Sequence, residues 1–130
     1  MFLLDTHTFL WFLSDDPKLP SRAREIIEAT QDIQVSIGTF WEIAIKASLG
    51  KLILPTSVST LMNDCRELGF IILPIKASHL ELLRGLPQIH RDPFDRLFIC
   101  QAKVEDLTII TADTNISRYD IHTFWDKGLL

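Results

Sequence analysis

Four acidic residues stand where this chain leaves a strand or enters a helix. Asp5 follows the apolar run Phe2–Leu4, and Asp113 follows the run Leu107–Ile110. Glu42 and Asp95 each fall in the first turn of a helical stretch. In an open parallel sheet, ligands bind outside the carboxyl ends of the strands, and the helices that follow strands begin at that same edge. Four carboxylates are therefore expected around one crevice. Like charges that close repel, and they stay ionised only where cations sit between them. An oxygen-rich site of this kind suits Mg²⁺ or Mn²⁺.

Each acid also has a purely structural role open to it. Asp5 can cap the helix behind it. Thr39-Phe40-Trp41-Glu42 fits a capping box, in which the glutamate reaches back to the cap's backbone amide. Asp95 is favoured in a first turn by the helix dipole, and Asp113 in Ala-Asp-Thr-Asn is ordinary turn chemistry. Lys46, one turn after Glu42, reads as a surface ion pair. Only joint placement separates a site from four caps, and joint placement depends on the fold.

The elements that must supply it are legible as short apolar runs alternating with helical spacing. Strands are expected at Phe2–Leu4, Ile33–Ile37, Phe70–Leu73, Leu107–Ile110 and near Ile121–Phe124. Helices are expected over Thr8–Leu13, from Ser21 through Ala29, over Thr39–Leu49, through Val58, Leu61, Met62, Cys65 and Leu68, over Leu80–Leu83, and from Asp92-Pro93 through Val104. Asp92 is the expected N-cap of the last of these, with Pro93 at its first position, while Gly50 and Gly69 close two others. The alternation predicts an α/β fold: a three-layer α/β/α sandwich around a mainly parallel sheet of four to five strands.

Bulk properties set the outer limits. The 130 residues read as one domain, 47% apolar and 23% charged. Cys65 and Cys100 sit among apolar neighbours at helical spacing, which suits reduced thiols and a cytoplasmic location. The opening MFLLDTHTFLWFL lacks a basic start and is interrupted by Asp5 and His7, so it reads as neither signal peptide nor membrane span. A net charge of −4, from 17 acids and 13 bases, argues against a passive grip on nucleic acid but not against an enzyme that holds cations between carboxylates.

Other candidates have less behind them. His7, beside Asp5, can touch a phosphate or stand as a polar neighbour. His79 and His90 have no spacing that suggests zinc. The serines lack a paired His and Asp in recognisable order, and Gly38-Thr39 is no phosphate loop. Arg91, Arg96, Lys103 and Arg118 can contact nucleic-acid phosphates or form a solvated charged face.

Taken together, MFLLDTHTFLW, SIGTFWEIAIKASLGKL, HRDPFDRLFICQA and IITADTNI resemble the PIN domain, in order and spacing, over nearly the whole chain. They are most similar to the VapC-like toxins of bacterial type II toxin–antitoxin pairs. The resemblance implies a catalytic and metal-binding set of Asp5, Glu42, Asp95 and Asp113, with Thr111 as a polar neighbour and Asp92 left as the helix cap. Asn115 stands where some relatives carry a further acid, which leaves a second metal's ligands undefined. Further implications are Mg²⁺- or Mn²⁺-dependent endoribonuclease activity by in-line displacement, a homodimer, and a cognate antitoxin that covers the site. The aromatic residues Phe9, Trp11, Phe12 and Trp41 are candidates for such interfaces or for the core. The alternatives are a housekeeping RNA-processing nuclease and a non-catalytic α/β binding module whose acids are all caps. A haloacid-dehalogenase-like phosphatase would need Asp-x-Asp where Asp5-Thr6-His7 stands, and a receiver-like module would need paired acids and a late lysine.

Overall fold

The computed structural model describes residues 1–125. Strand β1 (Phe2–Leu4) leads into α1 (Thr6–Leu13) and α2 (Ser21–Ala29), and β2 (Ile33–Ser36) into α3 (Ile37–Ser48) and α4 (Val58–Glu67). Then come β3 (Ile71–Leu73), α5 (Ala77–Arg84), α6 (Pro93–Glu105), β4 (Thr108–Ile110), a 3₁₀ turn at Ile116–Arg118 and β5 (Thr123–Phe124). All four strand pairs are parallel, in the order β3-β2-β1-β4-β5.

Strands this short are held by burial on both faces. Successive side chains of a strand point to opposite sides of the sheet, and the two cores follow that rule. Leu4 and Ile110 join Phe9, Ile27, Ile43 and Cys65 on the side of α1 to α4. Their neighbours Leu3 and Ile109 join Phe98, Ile99, Ala102 and Tyr119 on the side of α6. Both cysteines are buried and free. Phe9 belongs to the core, whereas Trp41 on α3 is 57% exposed.

Most boundaries lie within a residue of the sequence expectation, and three helices start two or three residues early, each with a local hydrogen bond at its start. Helix α1 begins two residues early, because the Asp5 carboxylate caps it. Helix α3 begins at Ile37, because Ser36 Oγ accepts the Gly38 N–H at 3.0 Å. Helix α5 starts at Ala77, where His79 Nδ1 accepts the Lys76 N–H at 3.0 Å. Gly50 and Gly69 do terminate helices, at φ +70° and +84°, values that cost glycine little. Among the described residues no helix is long and apolar enough to cross a membrane.

The strand order fixes the place of the crevice. From β1 the chain builds outward through β2 to β3, then returns to the other side of β1 for β4 and β5. The direction of winding reverses between β1 and β4, and such a switch point opens a cleft at the carboxyl ends of the strands.

Candidate active site

Leu4 pairs with Ile110 in register, so Asp5 and Thr111 emerge side by side at the switch point. Asp5 is buried. Its Oδ1 accepts the Thr8 N–H at 2.9 Å, and its Oδ2 accepts the Thr111 hydroxyl at 2.5 Å. The expected cap is real, but it occupies one carboxylate oxygen and leaves the other facing β4. Thr111 Oγ1 also accepts the Asp113 N–H at 3.0 Å, and Asp113 Oδ1 accepts that of Asn115 at 2.8 Å. One threonine thus sets the relation between the first and last acids.

Glu42 does not form the capping box. Ser36 is the N-cap, Thr39 is buried inside α3, and Glu42 lies in its second turn. Glu42 Oε1 accepts the Thr6 hydroxyl at 2.6 Å, and Oε2 pairs with Lys46 Nζ at 2.6 Å. The pair expected at the surface therefore has a buried carboxylate as one partner. Helix α3 comes close to α6 at Gly38, where a Cβ would lie 2.7 Å from Leu97 Cδ2. A side chain there would push the tip of Leu97 aside, so Gly38 marks where the helices carrying Glu42 and Asp95 pack closely.

At the start of α6, Asp92 Oδ1 accepts the N–H groups of Phe94 and Asp95, each at 2.9 Å. Capping falls to Asp92, and the Asp95 side chain is left for the crevice. Asp95 Oδ2 lies 3.0 Å from His90 Nε2, which is also 3.0 Å from Asp113 Oδ2. Side-chain contacts run from Asp5 through Thr111 to Asp113 and from Asp113 through His90 to Asp95, and Glu42 bonds Thr6, the residue after Asp5.

The model of the PIN domain family matches residues 2–122. The chain belongs to the PIN domain family. No curated protein matches it. Solved structures of the same fold include VapBC2 from Rickettsia felis bound to a promoter DNA fragment, at 16% identity and TM-score 0.68, covering 96% of this chain and 98% of that one. FitAcB from Neisseria gonorrhoeae has 20% identity and TM-score 0.65, covering 95% and 96%. DNA-bound VapBC from Salmonella typhimurium has 19% identity and TM-score 0.65, with the same coverage.

Electrostatics in this PIN domain favour a cation. Burial raises the Asp5 pKa against the opposing hydrogen bonds from Thr111 and Thr8. Asp95 is pushed up to about 7, first by burial, then by the negative charges of Asp92, Asp5 and, more weakly, Glu42, with His90 opposing. Asp95 thus feels the charges of Asp5 and Glu42 across the crevice. Crowded carboxylate oxygens, one of which keeps its proton to about neutral pH, are the donor chemistry of a hard divalent cation. His90, Asp95 and Asp113 offer ligand atoms that all lie within 4.8 Å of one another.

Two residues emerge in roles the sequence did not suggest. His90 joins the acids, although its spacing carries no metal pattern; its one local sign is its place two residues before the Asp92 cap. Arg96, a candidate for phosphate contact, is buried instead. Its guanidinium donates to the carbonyls of Leu86, Pro87 and His90 at 3.3, 2.9 and 3.4 Å. Lys103 is engaged with Asp120 at 2.9 Å, and exposed His7 stacks on Trp11 at 5.6 Å between ring centroids. His79 is buried against Glu105 at 2.8 Å.

Proposed function

We propose that this PIN domain is a Mg²⁺- or Mn²⁺-dependent endoribonuclease and acts as the toxin of a toxin–antitoxin pair. The observation that carries the reading is the gathering of four acids at the switch point of the sheet: Asp5 and Asp113 joined by hydrogen bonds through Thr111, Glu42 bonded to Thr6, and Asp95 3.0 Å from His90 and within reach of the charges of Asp5 and Glu42. A cation held there supplies Lewis acidity for activating water and for the charge developing on the leaving oxygen of a phosphodiester. Asp5, Asp95 and Asp113 are the ligands in this reading, with Glu42 the helical member, its second oxygen oriented by Lys46. Thr111 holds Asp5 and Asp113 in fixed relation, so the carboxylates need no reorganisation when substrate arrives.

The partners proposed are an RNA substrate, a cognate antitoxin and a second copy of the chain, in the cytoplasm. The antitoxin is supported by the VapBC and toxin–antitoxin complexes among the structures of the same fold. Asp5→Asn and Asp95→Asn are expected to lower cleavage of a structured RNA at least about tenfold in Mg²⁺ or Mn²⁺, no less than the loss of a group supporting a ligand. Unchanged rates in both variants would refute the nuclease. Expression alone should slow growth of a bacterial host, and co-expression with a neighbouring antitoxin should restore it. A protein that cleaves RNA in vitro but is harmless when expressed alone would be a housekeeping nuclease.

A further inference from the structure

The four acids leave His90 without a task. Its side chain is 13% exposed, and Nε2 stands 3.0 Å from Oδ2 of both Asp95 and Asp113. The hydrogen bond runs to Asp113; Asp95 stands at the same distance without one. Cis ligands of an octahedral cation, each about 2.1 Å from the metal, are separated by about 3 Å. Nε2 and the two carboxylate oxygens match that spacing along two edges of one coordination face. The contact that opposes ligation is at the other ring nitrogen. Nδ1 accepts the Asp92 N–H at 3.4 Å, and binding a metal at Nε2 would move the ring proton to Nδ1 and end this bond. At 3.4 Å it lies outside the usual range for N–H donors and is weak.

The rest of the fold delivers the ring to this place. Tyr119 Oη accepts the N–H groups of Ile89 and His90 at 3.1 and 2.8 Å and donates to Pro87 O at 2.8 Å. With Arg96 on three carbonyls of the same loop, residues 86–90 are tied to α6 and to the segment after β4. The bonds of ordinary length, those of Tyr119 and that of Arg96 to Pro87 O at 2.9 Å, present the ring as a preorganised donor.

We propose that His90 is a nitrogen ligand to the cation held by Asp95 and Asp113, and that it moves this site's preference from Mg²⁺ toward transition-metal dications. The inference rests on the metal-site reading above. Mg²⁺ takes oxygen donors and parts reluctantly with water, whereas imidazole suits the softer dications.

The test is pulsed electron paramagnetic resonance of the Mn²⁺-loaded full chain, prepared with ¹⁴N- and ¹⁵N-histidine. The expected result is a nitrogen coupling typical of direct coordination that changes with the isotope, persists in His7→Gln and disappears in His90→Gln. Alongside it, Mn²⁺ affinity should fall about tenfold or more in His90→Gln, with a much smaller change for Mg²⁺. Isotope exchange reads coordination in the unaltered protein, so the result does not hang on the variant's folding. Mn²⁺ that binds, and binds less well in Asp95→Asn, yet shows no nitrogen coupling would overturn the ligand assignment and leave the acidic site standing. An unchanged or tighter Mn²⁺ affinity in His90→Gln would do the same, marking His90 as a proton-bearing stand-in for the cation. Failure of every form to bind Mn²⁺ would overturn both readings.

Discussion

At the scale of single residues, Thr111 is the most exposed to test. Its hydroxyl donates to one acid and accepts from the backbone of another, so Thr111→Val removes two hydrogen bonds while nearly keeping the shape. Asp5 would lose a bond that favours its charged form while keeping the burial that opposes it. Affinity for Mn²⁺ should drop about 10–100-fold, the range for groups that orient metal ligands, and Thr111→Ser should recover most of it. Calorimetric titration of the three proteins checks this, and equal affinity in Thr111→Val would remove the threonine from the site. The places of Asp5 and Asp113 at the carboxyl ends of β1 and β4 were legible in the sequence, because an acid just past an apolar run is a local pattern. Glu42 was legible as a type and misleading in its role, since Thr39-x-x-Glu42 imitates a box that Ser36 pre-empts one turn earlier. The surroundings of His90 were not legible beyond its place two residues before the Asp92 cap: its partners are an aspartate 23 positions away and a loop folded by Tyr119 from 29.

At the scale of elements, most of the fold was readable, because each strand is a compact apolar run and each helix carries its own punctuation. Asp92-Pro93 announced α6, and Gly50 and Gly69 marked helix ends. Strand order was less accessible, since β1, β2 and β4 are similar apolar strands and nothing local says that β4 returns beside β1. The loop 86–90 was least accessible, being ordered by contacts from two other segments. It carries a prediction of its own. Tyr119→Phe leaves the N–H groups of Ile89 and His90 without their acceptor and Pro87 O without one of its donors. Stranding a buried polar group costs about 1–3 kcal/mol, and urea unfolding should show a loss in that range. Native-state hydrogen exchange should quicken at residues 89 and 90 before it does in β1. A loss below about 0.5 kcal/mol, with exchange unchanged, would mean that Arg96 alone holds the loop.

At the scale of the whole molecule, the acidic crevice should make stability depend on pH and metal together. Asp95 has its folded pKa raised to about 7, well above the roughly 3.9 of an unfolded aspartate. The folded protein therefore binds this proton more tightly than the unfolded chain. Its stabilising contribution is complete below about pH 4 and is lost as pH rises through about 7. Asp5, also raised, acts with the same sign. Glu105, held low by His79 and Lys76, acts with the opposite sign, but equally in any variant of Asp95. In chelator, wild type should lose stability between pH 5 and pH 8, and Asp95→Asn should lose less, ending level with wild type or above it at pH 8. Excess Mn²⁺ should reverse the order. A ligand present at a hundred times its dissociation constant stabilises the native state by about 2.7 kcal/mol, and the variant, lacking one donor, should gain less. The capping alternative predicts the other sign. There the Asp95 charge favours the N-terminus of α6 by about 0.3–1 kcal/mol, so its loss would lower stability in chelator and leave the metal-induced gain intact. Melting curves of both proteins at pH 5 and pH 8, in chelator and in Mn²⁺, separate the two. A variant that melts lower in chelator at pH 8 and keeps the full metal shift would return Asp95 to the helix dipole and dismantle the site.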